Sequence, residues 1–191
     1  MPSLVRALLL LVLPLTLSGC FTSDDALISI FGSLTPVGAG RYNSYVDGKL
    51  DKSLTVGLEG PITKITYLNP DGTESSHTER LLMGRVEGNY FVVMSYNNKY
   101  QYIYSLILIS STQVTRYTEP NNCDDLDDEM KDGTEDSYQN MEDEYAGVVK
   151  VKQFDDHSRA CVFTEYGDVV EAFRRLIKSN HLKPATVYVR Q

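Results

Sequence analysis

The densest group of ionisable side chains lies between Glu119 and Tyr145, where twelve acidic residues accompany one Lys, a local charge of −11 in a 191-residue chain of net charge −8. Ca²⁺ takes six to eight oxygen ligands, and the run Cys123 to Glu129 offers Asp124, Asp125, Asp127 and Asp128 as candidate cation ligands. The spacing is not that of an EF-hand loop. Counted from Asp132, acids fall at positions 1, 5 and 12 (Asp132, Asp136, Asp143), but Ser137 stands where Gly is required; counted from Asp128, Gly133 fits but Met130 and Gln139 do not. The competing reading is a solvated loop whose like charges repel. Such a tract repels phosphate, and the remainder of the chain carries only +3, so no nucleic-acid partner is expected.

Aromatic and nucleophilic groups come next. Tyr100, Tyr102 and Tyr104 alternate and therefore share one strand face. Across a two-residue turn they are expected to oppose Ser95, Val93 and Phe91, an aromatic band that either binds a peptide or sugar or forms core with its hydroxyls at the rim. Without Trp, a sugar platform lacks its usual large ring. His77, His157 and His181 show no metal-ligand spacing. There is no GxSxG, no SxxK and no phosphate-cradling glycine loop, so no cofactor is expected. Asp155-Asp156-His157 imitates a catalytic dyad, but Asx-rich turns arise for backbone reasons alone. A dispersed active site leaves no such trace, so a hydrolase stays open as an alternative.

The N-terminus carries the clearest signal. Arg6 precedes an apolar run from Ala7 to Leu17, almost all Leu and Val and broken by Pro14. As a helix this run rises roughly 16 Å, too short for a hydrocarbon core of about 30 Å. It suits a signal peptide. The four residues Leu17-Ser18-Gly19-Cys20 resemble the lipobox of bacterial lipoproteins. That resemblance implies cleavage before Cys20, a diacylglyceryl group on its thiol and acylation (palmitate) of the freed amine. Two or more chains are needed for stable anchoring, since each buried CH₂ contributes only ~0.8 kcal/mol. The family's sorting rule reads Phe21, in place of Asp, as favouring an outer membrane, facing the periplasm, where the cell has one. With Cys20 committed to lipid, Cys123 and Cys161 remain, and an oxidising exported compartment favours their pairing. The alternatives are two reduced thiols, or Cys161 acting with His157 as a thiolate nucleophile.

These groups need elements to hold them. Ser23 to Leu34 reads as a short helix, capped by Ser23, with Leu27, Ile30, Phe31 and Leu34 on one stripe. The stripe docks on the domain or lies on the membrane; the Lys/Arg-rich polar face expected for the latter is absent. After a Pro/Gly linker to Gly40, strands are expected over Arg41–Val46 and Lys49–Val56 around Asp47-Gly48, from Ile62–Leu68 to Met83 around Asn69-Pro70-Asp71-Gly72, over Asn89–Tyr96 and Lys99–Ile109 around Asn97-Asn98, and over Gln113–Tyr117. Gly147–Phe154, Arg159–Thr164 and Thr186–Arg190 add three more. Asp168 to Lys178 is the best helix, with Val169, Val170, Phe173, Leu176 and Ile177 on one face, stopped by Asn180 and Pro184.

The expected protein is α+β: mainly an antiparallel β-meander or barrel-like sheet, with a C-terminal helix packed on it and a short N-terminal helix. Residues 1–19 are signal peptide, 20–40 the lipidated N-terminus and linker, and 41–191 one β-rich domain carrying the acidic loop 119–145. The expected role is a membrane-anchored envelope lipoprotein acting as a non-enzymatic binding or structural module, tethered by its lipid and meeting an envelope protein as partner. A hydrolase or a weak calcium binder is the alternative.

Overall fold

The computed structural model describes residues 21–97, 101–118, 150–155, 158–179 and 182–191. Eight antiparallel strands close into a barrel: β2 (Gly40–Val46), β3 (Lys49–Glu59), β4 (Ile62–Leu68), β5 (Glu74–Glu87), β6 (Tyr90–Asn97), β7 (Gln101–Ile109), β8 (Gln113–Thr118) and β11 (Lys183–Arg190). β2 to β8 follow one another as a meander. β11 then enters between β8 and β2 and closes the ring, with Val187 opposite both Tyr45 and Thr115. Closure gives each of these strands a neighbour on both sides, although β6 meets β5 only from Leu81 onward.

Local chemistry sets the corners. Asp47 and Gly48 both have positive φ, 50° and 74°, as a two-residue type I′ turn requires. Gly72 (φ 82°) closes the β4–β5 turn, where Asp71 accepts hydrogen bonds from the Thr73 amide at 2.9 Å and the Thr73 hydroxyl at 2.6 Å. Strand direction alternates, so the turns at 47–48 and 69–73 share one end of the barrel. The turns at 60–61, 88–89 and 110–112 share the other, where the chain enters β2.

The barrel wall formed by β5, β6 and β7 is buried on both sides. Phe91, Val93, Leu81, Met83 and Ile107 point inward; Val92, Met94, Leu106 and Tyr104 point outward into a second core. This explains the nearly unbroken apolar run of β7, a pattern expected of a strand covered on both faces. The second core is roofed by the helix α1 (Tyr166–Ser179), whose Val169, Val170, Ala172, Phe173 and Leu176 are buried. Phe21 packs edge-on against Phe163 and Phe173, with ring centroids 5.1 and 5.0 Å away.

The outer layer is extended by a small sheet. β1 (Phe21–Ser23) pairs antiparallel with the first part of β7 and parallel with β10 (Ser158–Val162), which pairs with β9 (Lys150–Asp155). One edge of β7 is therefore shared: residues 101–103 hold β1, and residues 107–109 hold β8.

The expected N-terminal helix is absent. Phe21–Ser23 is strand, and only Ile30–Gly32 forms a single 3-10 turn. The reason is tertiary. Ser23 spends its hydroxyl on the Tyr104 hydroxyl, 2.7 Å away, in place of a helix cap, and the Leu27 amide donates to the same Tyr104 oxygen at 3.2 Å. Leu27 and Ile28 pack into the outer core, while Ile30, Phe31 and Leu34 are exposed, so no continuous apolar stripe forms. The 3-10 turn takes its own cap from Ser29, whose Oγ accepts the Gly32 amide at 3.1 Å.

Candidate functional site: the barrel interior

Inward-facing side chains along three neighbouring strands change character in the same direction. On β3 they run Lys52, Leu54, Val56; on β4, Tyr67, Ile65, Thr63; on β5, His77, Glu79, Leu81, Met83. Each series starts polar near the 47–48 and 69–73 turns and becomes mainly apolar towards the other end. There Val37, from the segment leading into β2, packs inside the barrel. That plug is pinned on both sides: the Tyr42 hydroxyl donates to the Gly38 carbonyl at 2.8 Å, and Arg190 Nη2 donates to the Ala39 carbonyl at 2.8 Å.

Between mouth and plug lies a cavity of about 80 Å³. A buried water needs only ~10–15 Å³, so the space admits several waters or the narrow end of an organic molecule. Tyr42, Tyr67 and Glu79 line both this cavity and a wider groove of about 800 Å³ outside it, and so form its threshold.

The threshold is a linked polar cluster. The Tyr67 hydroxyl donates to Glu79 Oε1 at 2.9 Å. The His77 ring stacks on Tyr67 with centroids 5.1 Å apart, and its Nε2 lies 3.4 Å from the same Glu79 oxygen. Lys52 Nζ sits 5.4 Å from the centroid of the same Tyr67 ring, within cation–π range. Desolvation, and then the Glu79 carboxylate, push the Tyr67 phenol well above its ordinary range, so it stays a donor. Burial likewise raises the Tyr188 phenol, against the opposing pull of Arg116. Deeper in, Thr63 Oγ1 is buried and finds no protein hydrogen-bond partner. A buried hydroxyl left unpaired costs about 1–3 kcal/mol.

Those residues singled out in the sequence that the structure describes lie elsewhere. Tyr104 is fully buried on the outer face of the barrel, its hydroxyl engaged by Ser23 and Leu27, and burial raises its pKa. Tyr102 faces Tyr96 with ring centroids 5.6 Å apart. The strand register differs from the expected one: Tyr104 opposes Met94 and Tyr102 opposes Tyr96, not Phe91 and Val93. The register is shifted from the expected one by an odd number of residues, which moves Tyr102 and Tyr104 to the outer face. Tyr100, Cys20, Cys123, His157, His181 and the acidic candidates Asp124, Asp125, Asp127 and Asp128 lie outside the described residues. Among the described residues no group of three or more His, Cys, Asp or Glu is placed to hold a metal. Cys161 is fully buried. No helix among the described residues is long and apolar enough to cross a membrane.

What sequence reasoning missed is the inward set Lys52, Thr63, Tyr67, Glu79, Arg116 and Tyr188. Its signal was present: the alternate positions 77, 79, 81 and 83 pass from polar to apolar, as do 52, 54 and 56. The chain matches no family model, no curated protein sequence and no solved structure.

Proposed function

We propose that this is a lipid-anchored, non-enzymatic binding protein whose barrel takes the narrow apolar end of a small amphipathic molecule. The molecule's polar part rests at the threshold formed by Tyr67 and Glu79. An eight-stranded barrel is just wide enough for its own side chains or one small ligand. The carrying observation is the interior cavity, polar at one end and apolar at the other, with the unpaired Thr63 hydroxyl in its wall.

A thermal-shift panel of short carboxylates, alkylamines and phenols tests this reading. At 100 times its Kd a ligand adds about 2.7 kcal/mol of stability, so a true ligand class raises the Tm by several degrees. Ser105→Leu fills the cavity from a buried lining position and abolishes that response while the barrel still melts cooperatively. No response from any class, or an equal response in the filled variant, overturns the proposal.

The tether rests on the Leu17–Cys20 lipobox, which puts the barrel on an envelope membrane. Cys20→Ser removes detergent-phase partitioning if this is correct. A bridge between Cys123 and Cys161 rests on their being the two cysteines left once Cys20 carries lipid, in an oxidising compartment. Such a bridge contributes roughly 4 kcal/mol in the chain-entropy account. Folded, non-reduced protein then shows no free thiol.

A further inference from the structure

From Leu27 to Gly40 the sequence holds fourteen residues without one ionisable side chain, in a chain that is 23% charged. Within that stretch Ile30 is 53% exposed, Phe31 fully exposed and Leu34 41% exposed. They are held in place. Ser29 caps the 3-10 turn, the Ser33 hydroxyl donates to the Pro61 carbonyl at 2.9 Å and accepts the Met83 amide at 3.1 Å, and the Leu34 amide donates to the Met83 carbonyl at 2.8 Å. Three large apolar side chains are thus presented to solvent on a braced loop, at the plugged end of the barrel.

We propose that this loop inserts into the surface of the lipid bilayer that holds the protein. The argument for that occupant comes from chain length. Cys20 is one peptide, about 3.8 Å between Cα atoms, from Phe21, which is fully buried in β1. A lipid on Cys20 therefore has no flexible leader, and the membrane lies against the body of the domain. An uncharged loop meets that interface without desolvating an ion, and Phe and Leu are side chains that enter the acyl boundary. The exposed Val46 and Leu50, at the opposite end, sit on a hairpin that also carries Asp47, Lys49 and Asp51, so they face water. The proposal has a directional consequence: the plugged end meets lipid, and the threshold of Tyr67 and Glu79 faces away from it.

The chain has no Trp, so Phe31→Trp installs a single reporter and Leu50→Trp supplies a control. Each is made in the full-length chain, purified from cell membranes and placed in phosphatidylethanolamine–phosphatidylglycerol vesicles. The reporter at position 31 is expected to emit at shorter wavelength than in detergent-free buffer, to lose access to acrylamide and to be quenched by brominated acyl chains; that at position 50 stays accessible. Acrylamide access equal at both positions, or acyl-chain quenching at both, overturns the proposal. The inference rests on the anchor reading, and the two separate cleanly. The mass of the mature N-terminus reports acylation of Cys20. If Cys20 proves unacylated, the anchor fails, while the position-31 reporter in added vesicles still decides whether the loop inserts.

Discussion

Single side chains carry two opposed tests. Thr63 has a buried hydroxyl without a partner, so Thr63→Val, close in shape, is expected to raise the stability of the ligand-free protein by about 1 kcal/mol, or roughly 2–4 °C in Tm. The same change weakens the ligand class found in the thermal panel. If stability falls instead, the hydroxyl is satisfied in solution. Asp168 makes a prediction in pH. Desolvation, then Glu165, push its carboxyl above the usual range, and its buried Oδ2 has no partner. A folded pKa above the unfolded one means that the ionised group lowers stability at neutral pH, and that this loss disappears below the unfolded pKa of about 3.9. Asp168→Asn therefore melts higher than the parent at pH 7, and the two converge as pH falls through the carboxylate range. At this scale the sequence was least legible. Lys52, Tyr67 and Glu79 are far apart in the chain and look like ordinary strand residues until the register brings them together.

Elements were read more successfully, and the failures share one cause. The Asp47-Gly48 hairpin and the buried face of α1 follow local rules, the first from positive φ and the second from a 3.6-residue period. The N-terminal helix and the tyrosine register failed because long-range partners outweighed local preference. Tyr104 decides both: turned outward, it takes the Ser23 hydroxyl that a helix cap would have needed. Tyr104→Phe is expected to loosen β1 and the following loop, costing about 1–2 kcal/mol; hydrogen exchange at Leu27 checks it, since that amide donates to the lost oxygen. The docking of α1 has its own test. A Cβ at Gly84 would collide with the Tyr166 ring and hydroxyl, so Gly84→Ala costs about 1–3 kcal/mol. Truncating Tyr166 in the same chain recovers part of that loss, a coupling that a double-mutant cycle measures.

For the whole molecule, the barrel-like sheet with a packed helix was readable from turn spacing and apolar pattern, but closure was not. No local feature of Lys183–Arg190 announces that it inserts between β8 and β2. Nor does anything in the sequence reveal that β7 divides one edge between two partners. That shared edge matters mechanically. β1 is stitched to β7 on one side and β10 on the other, and ladder hydrogen bonds run largely across the strand axis. A pull on the residue before Phe21, directed along β1, therefore loads both rows of bonds in shear at once and does not peel them in succession. With the proposed lipid on Cys20 and the proposed ligand in the barrel, drag between membrane and ligand would pass along this three-residue splice into the barrel wall, making β1 the joint through which the domain bears load.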